Sequence, residues 1–507
     1  MTRRREEQIF LLVAVLIGIY AGLAVVAFRL AIESVRLVLF GSSLEPPRVR
    51  VLLVPATAGL AIGVLVVRFF PNVRGSGVNQ TKAALYVYDG YISVRTVVGK
   101  FLTSALAIGS GQSLGPEDPS LQVGAGLASA IGGVLRMPRD SLRFIAPVGA
   151  AAGLAAAFNS PITAVLFVIE EVIGRWSAGV LGAVVLSAVA AVVTEQWFLG
   201  DEPLFRVPTY HLVHGAELLA YAVLGLIGGA VSLVFVKLVA LLRPRMRALP
   251  PWTWYMQPAV AGVFVGAIGL WFPQVMGAGY EYIDRAMHDE YGWRLLAELG
   301  ALKVVATTAS FVSGTPGGLF APTLFIGAML GGAVCGIERR IAPGITGPIG
   351  AYALVGMGTL FAGILRAPMT SVFMIVEVSG NYSIILPVMI SNTIAYLVSR
   401  RFQRHALFDV LARQDGTELP SMEEERETDV RSVEHVMRPA DGLTLSGDEA
   451  MLLADARAAR VFLYPDQSIE VALRVLRARP LVPVVHRADP QRLVGVVALD
   501  DVVREAS

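Results

Sequence analysis

The chain has 507 residues, of which 55% are apolar and 16% charged, and a formal net charge of +2. That is far more apolar surface than a soluble core of this length uses, so the chain reads as a polytopic membrane protein. A charge so near zero leaves no concentrated basic face for nucleic acid, and the lone cysteine, Cys335, excludes an internal disulfide.

The first apolar run, Ile9 to Phe28, follows Arg3-Arg4-Arg5. It is too long for a secretory leader and lacks a small-residue cleavage pattern, so it is expected to be retained as a span. Further apolar stretches lie at 51–70, 101–113, 120–135, 142–157, 161–174, 178–198, 216–241, 258–272 and 300–312, then at 319–335, 351–365, 368–379 and 384–398. Many fall short of the roughly 20 residues a perpendicular span needs. Several are therefore expected to be tilted, re-entrant or stopped midway, with their ends facing protein, water or ions. Arginines at 3–5 and at 400, 401 and 404 flank the outermost spans and place both termini in the cytoplasm by the positive-inside rule. Arg136, Arg139 and Arg143, and Arg243, Arg245 and Arg247, read as inner loops.

Beyond about Asp409 the chain turns polar, and Glu423-Glu424-Glu425-Arg426-Glu427 marks a solvated linker. The division expected is a membrane domain over 1–405, with repeats at about 9–200 and 215–405, a linker over 406–428 and a small α/β domain over 429–507. In that last domain Ile469 to Leu476 reads as helix, Leu481 to Val485 and Arg492 to Val497 as strands around an Asp-Pro turn, and Asp500 onward as helix.

Two Gly-rich stretches are degenerate copies of one another. Ser110 to Gly133 against Ser313 to Gly336, without a gap, gives 10 identities in 24 positions, where roughly two are expected from average composition. The correspondence resumes downstream, pairing Gly149, Ala155, Pro161, Thr163, Val165 and Glu170 with Gly356, Ala362, Pro368, Thr370, Val372 and Glu377. A doubled membrane domain with Gly/Pro-interrupted segments in both halves points to a binding site where the broken helices meet. A helix N-terminus leaves backbone N–H groups without partners and carries about half a positive charge, so it attracts an anion without holding it as a full cation would. Conduction needs binding of that intermediate strength. Gly115, Gly317 and Gly318 remove side chains where backbone must approach an ion; close helix packing is the other use of such residues.

Gly75-Ser76-Gly77-Val78, Gly115-Pro116-Glu117-Asp118-Pro119, Gly317-Gly318-Leu319-Phe320-Ala321-Pro322 and Asn381-Tyr382-Ser383-Ile384-Ile385-Leu386-Pro387 stand in that order. In these motifs the chain resembles the CLC chloride channels and chloride/proton antiporters over most of residues 9–405. The tail, with Pro483-Val484-Val485 and Gly495-Val496-Val497 followed by Asp500-Asp501, resembles a single CBS domain. The resemblance implies an all-α inverted-repeat membrane fold with short broken helices, and a homodimer with a pore in each subunit. For the tail, nucleotide binding and a purely docking role both stay open.

By position, the resemblance gives the Ser76 hydroxyl, the Tyr382 phenol and the backbone N–H groups of Leu319 and Phe320 to a dehydrated anion, with Gly115 and Gly318 beside it. Hydroxyls suit this role because they donate without fixing a charge. In the family, serine at the first position goes with chloride and proline with nitrate, so Ser76 favours chloride. Glu117 matches the gating glutamate, a carboxylate that competes with the anion for the same donors when ionised and swings away when protonated. Glu171, at the end of an apolar helix, matches the internal proton-transfer glutamate, while Glu170 and Glu377, recurring in both halves, read as structural.

Three positions depart from the family pattern. Pro116 has no N–H and Asp118 adds a carboxylate, so the outer anion site is expected to be weak. Asn79 stands where a proline is usual and is expected to loosen the loop holding Ser76. The function expected is exchange of chloride for protons across a lipid membrane, driven by the two gradients, without metal or cofactor and without enzymatic chemistry. A passive chloride channel of the same fold is the alternative. An intramembrane hydrolase with Ser76 as nucleophile lacks a histidine at catalytic spacing, since His211, His214 and His288 fall in expected loops.

Overall fold

The computed structural model describes residues 3–41, 47–174, 178–201, 204–205, 215–344, 346–417, 419–420, 432–440, 443, 447–459, 461–467, 469–486 and 489–506. His211, His214 and the acidic linker run at 423–427 lie outside them. The chain divides into two compact units, Met1–Leu419 and Pro420–Ser507.

In the first unit the helices of the first half are α1 (Arg3–Phe40), α2 (Arg48–Val64), α3 (Val78–Tyr86), α4 (Val94–Gly109), α5 (Glu117–Val134), α6 (Arg139–Phe158), α7 (Pro161–Phe167) and α8 (Ala178–Leu199). The second half gives α9 (Glu217–Arg247), α10 (Gln257–Gly269), α11 (Tyr280–Met287), α12 (Trp293–Val312), α13 (Phe320–Ile341), α14 (Ile349–Leu365), α15 (Pro368–Ser379) and α16 (Ile385–Phe402). Each element has its counterpart eight places on, and packing repeats with it: α1 lies on α8 as α9 lies on α16, and α5 on α6 as α13 on α14. Among the described residues, 8 helical segments are long and apolar enough to cross a membrane, while α10, α14 and α15 are shorter apolar helices. Short apolar helices are what the run lengths predict, and α14, buried along its whole length, is apolar all round because it meets protein on every side.

Small residues set the helix contacts. A Cβ on Gly124 of α5 would stand 2.3 Å from the Gly149 carbonyl of α6, and a Cβ on Gly327 of α13 would stand 2.3 Å from the Gly356 carbonyl of α14. Both contacts need backbone against backbone, the close approach that substitutes for hydrophobic drive between helices in lipid.

Two expectations change. Arg243, Arg245 and Arg247 belong to the last turns of α9, and Arg139 and Arg143 to the start of α6, rather than to loops; Arg243 is buried, bonding Asp415 at 2.8 Å. Residues placed in a linker by their polarity form α17 (Leu407–Gln414), whose Leu407, Phe408 and Leu411 are buried. Its amphipathic face, invisible to an average over the polar tail, packs against α3 and α9.

The second unit contains α18 (Val433–Val436), α19 (Gly447–Ala458), α20 (Ile469–Leu476) and α21 (Leu499–Ala506) around a three-stranded sheet. Strand order is β1 (Arg438–Pro439), β3 (Asp489–Ala498), β2 (Leu481–His486), all neighbours antiparallel. Val482, Val484 and Val497 join Ala472, Leu476 and Val502 in its core, as the alternating valines and the two short helices predict.

Candidate functional site

The two Gly-rich openings meet. Gly115 N–H donates to the Gly318 carbonyl at 2.9 Å, and Gly318 N–H donates to the Gly115 carbonyl at 2.7 Å, a single antiparallel bridge between the repeats. Around it Ser113 N–H donates to Ser310 Oγ at 3.2 Å, and Ser310 Oγ–H donates to Gln112 Oε1 at 2.9 Å. A Cβ on Gly115 would sit 2.4 Å from Glu117 Oε2 and 2.8 Å from Ala321 Cβ, so only glycine admits this crossing.

The bridge sets α5 and α13 with their N-termini facing. Glu117, the first residue of α5, is fully buried, and its Oε2 accepts from Ala321 N–H at 3.3 Å. Asp118 Oδ2 accepts from Leu319 N–H at 2.9 Å. The remaining oxygens, Glu117 Oε1 and Asp118 Oδ1, are buried without a hydrogen-bond partner among the described residues. Both carboxylates of α5 thus lie on the positive end of α13, where an anion would bind. The Leu319 N–H that the sequence reading gives to the anion is held by Asp118 in this structure. Phe320, one residue on, is fully buried, its ring 4.9 Å from that of Phe167, 5.2 Å from Phe361, 6.1 Å from Phe158 and 6.3 Å from Phe408.

Ser76 sits in the loop before α3, 5% exposed, its Oγ accepting from Val78 N–H at 3.3 Å. The flanking Gly75 and Gly77 have φ of +79° and +115°, values an L side chain rarely adopts. Buried Lys100 of α4 holds this loop by donating to the Val73 carbonyl at 3.2 Å and to the Gly75 carbonyl. Lys303 of α12 holds the matching loop of the second repeat through Val275 and Gly277 at 3.0 and 2.7 Å, but there Ala278 stands where the first repeat has Ser76. Asn79, expected to loosen the loop, donates its Nδ2–H to the Phe408 carbonyl at 2.8 Å and ties α3 to α17.

Tyr382 is a correction. It opens a 3-10 turn, Tyr382–Ile384, with 73% of its surface exposed, and the aromatic ring from the end of the unit that packs against Phe320 belongs to Phe408. The sequence signal for Phe408, an aromatic within an eight-residue amphipathic helix, was hidden in a segment read as linker.

Glu171 lies in a π-helical turn, Val168–Ile173, that continues α7. Its Oε1 is 3.2 Å from the buried ammonium of Lys82 on α3, which also stands 3.6 Å from Asp409 Oδ1 on α17. The preceding Glu170 caps α15: its Oε2 accepts from Thr370 N–H and Oγ1–H at 2.8 and 2.6 Å. Glu377 of α15 caps α7, Oε2 accepting from Thr163 N–H and Oγ1–H at 2.6 and 2.5 Å. Gln122, on α5 beside Gly77, escaped sequence reading too; it is fully buried and neither amide atom has a hydrogen-bond partner among the described residues. It lines a cavity of about 520 Å³ together with Arg74, Asn79, Gln80, Arg243 and Arg247.

A family profile described as voltage gated chloride channel matches residues 58–400, more than half of the chain. The chain belongs to that family. Among relatives in the voltage gated chloride channel family, a "Putative chloride channel protein ClcB-like" from Ralstonia nicotianae is 33% identical over 405 residues, covering 77% of this chain and 93% of the relative. An "H(+)/Cl(-) exchange transporter ClcA" from Vibrio campbellii is 31% identical over 405 residues, covering 77% and 86%. The crystal structure of a slow cyanobacterial Cl−/H+ antiporter superposes with a TM-score of 0.73 at 23% identity, covering 80% of this chain and 97% of that one. The fold is therefore that of the family, and the multi-pass membrane placement expected from composition stands with it.

Proposed function

We propose that this protein exchanges chloride for protons across a membrane, with Glu117 as the group that both ions contend for. The observation that carries the reading is the buried Glu117 carboxylate seated on the Ala321 N–H at the opening of α13. A halide and a carboxylate compete for such donors, and protonation removes the charge that makes the carboxylate a competitor. Each chloride that enters then displaces a carboxylate that has taken a proton, and each chloride that leaves lets the proton go. The exchange activity named for the Vibrio campbellii relative supports this reading. Ser76 supplies a hydroxyl donor at the anion path, and Arg74, Arg243 and Arg247 around the 520 Å³ cavity draw anions toward it. Leu319 and Phe320 contribute backbone donors, Leu319 once Asp118 has moved aside; Gly115 and Gly318 keep the approach open. Glu171 is the proton carrier of the inner end, and no covalent intermediate is formed.

The protein works as a homodimer with one pore per subunit and both termini in the cytoplasm, and its tail is a CBS-like unit that serves assembly without nucleotide; nucleotide binding there is the alternative.

Purified protein in chloride-loaded liposomes tests this, with chloride efflux and proton uptake recorded together. Glu117→Gln is expected to abolish proton movement and leave chloride flux. Proton pumping retained in that variant sinks the mechanism. A passive channel is the alternative, favoured by the name of the Ralstonia relative; its reversal potential would ignore a pH gradient.

A further inference from the structure

Three consecutive backbone N–H groups open α13, those of Leu319, Phe320 and Ala321. The outer two are taken, Leu319 by Asp118 Oδ2 at 2.9 Å and Ala321 by Glu117 Oε2 at 3.3 Å, while that of Phe320 has no hydrogen-bond partner among the described residues. A bare N–H between two carboxylates, at the positive end of a helix, is an anion seat with both flanks covered. Glycine makes the covering possible: a Cβ on Gly318 would stand 3.1 Å from Asp118 Cγ, and one on Gly115 would stand 2.4 Å from Glu117 Oε2.

The two carboxylates are held alike. Each is fully buried, gives one oxygen to α13 and leaves the other, Glu117 Oε1 or Asp118 Oδ1, without a partner among the described residues. The charged groups that act on them from the elements packed on α5 are engaged elsewhere. Lys100 of α4 acts on Asp118, but its ammonium donates to the Val73 and Gly75 carbonyls and forms no ion pair among the described residues. Arg29 of α1 acts on Glu117, but is paired with Glu195 at 2.7 Å. Among the described residues, α3, α6 and α13 place no charged side chain against Asp118. What keeps Asp118 in place is therefore its bond to Leu319 N–H, and the strength of that bond depends on the charge of the carboxylate. A hydrogen bond to an ionised acceptor is roughly twice as strong as one to a neutral acceptor.

We propose that Asp118 is a second proton-operated latch on the anion seat: ionised, it holds Leu319 N–H, and protonated, it yields that donor to chloride. The proton comes from water, forms an O–H bond on Asp118 Oδ1 and returns to water when that bond breaks; no other bond changes. Glu117 holds the exchanged proton, so Asp118 sets how readily chloride enters rather than how many protons are carried. The inference rests on the antiporter reading and deepens it, because the seat then answers to pH at two carboxylates instead of one.

Glu117→Gln separates chloride flux from proton exchange and leaves Asp118 as the remaining latch. In liposomes holding the full chain, chloride efflux and proton uptake of that variant are measured across about pH 4 to 9, the range that spans an ordinary carboxylate and one raised by burial. Efflux is expected to rise about three- to tenfold on acidification, along a one-proton curve, and chloride affinity by isothermal titration to rise by the same factor. Glu117→Gln/Asp118→Asn keeps a neutral acceptor on Leu319 N–H, and its efflux is expected to be flat with pH, near the acid value of the single variant. Glu117→Gln/Asp118→Gly removes the latch outright; its efflux is expected to be flat as well, and it decides the matter where the asparagine variant does not fold. A role for Asp118 confined to capping α13 would change the scale of efflux and leave its pH profile in place. A profile that persists in the double variants, or no rise in Glu117→Gln, overturns the latch and leaves the antiporter reading standing. Proton uptake retained in Glu117→Gln overturns the antiporter reading and the latch together.

Discussion

Glu170 and Glu377 each close the helix that leads to the other. Glu170 follows α7 and receives the first amides of α15; Glu377 lies in α15 and receives the first amides of α7. Two helices that begin with proline inside an apolar environment would otherwise bury several unpaired N–H groups. Truncation of either carboxylate should therefore cost about 1.5 to 3 kcal/mol, the range for charged hydrogen bonds. Denaturant titration of Glu377→Ala in detergent checks this; a loss below about 0.5 kcal/mol would show that water or neighbours take over the capping.

Asp118 occupies a donor that an anion needs, since its Oδ2 holds Leu319 N–H at 2.9 Å. Asp118→Gly should raise chloride affinity by about three- to tenfold, the gain from freeing one backbone donor and removing one nearby negative charge. Adding Pro116→Arg should raise it further. Isothermal titration with chloride reads the effect, and an affinity unchanged in the double variant would remove the account of a weakened outer site.

Gly115→Ala and Gly133→Ala make a matched pair within one segment. The new methyl at 115 would stand 2.4 Å from the Glu117 carboxylate, whereas nothing lies within 4 Å of one at 133. The first should destabilise by about 1 to 3 kcal/mol through overpacking and displace Glu117, impairing proton coupling. The second should be neutral or stabilising by up to about 1 kcal/mol, because alanine is the better helix former. Melting curves together with coupled flux assays distinguish them.

Lys100 and Lys303 anchor equivalent loops, yet only the first carries a serine hydroxyl. Lys100→Met and Lys303→Met should lower stability comparably, each leaving buried carbonyls unpaired. Chloride affinity should fall only for Lys100→Met. An affinity unchanged in Lys100→Met would mean that the Ser76 loop does not depend on its lysine for position.

The meeting of the two openings was legible because Ser110 to Gly133 and Ser313 to Gly336 share their glycines without a gap, and because helix ends in lipid must face something polar. The structural role read for Glu170 and Glu377 rested on the same repeat, although their exchange of helices was not visible. Lys82 carried no signal: a lysine in a polar stretch reads as solvated until α17, more than three hundred residues later, covers it. The misplacement of Tyr382 has the same origin. Motif order names an aromatic near the end of the membrane domain, but only tertiary packing selects Phe408, a residue from a helix too short and too polar on average to stand out.

The reciprocal capping of α7 and α15 also bears on biosynthesis. When the ribosome has delivered residue 200, the amides that open α7 have no closing carboxylate, for Glu377 has not yet been translated, and Gly115 has no opposite strand at Gly318. The first half must wait inside the insertion machinery, or in water at its margin, until its twin emerges. A gene fragment ending near residue 200 is thus expected to yield a chain that enters the membrane without reaching its native form, and the two fragments, expressed together, to rescue one another.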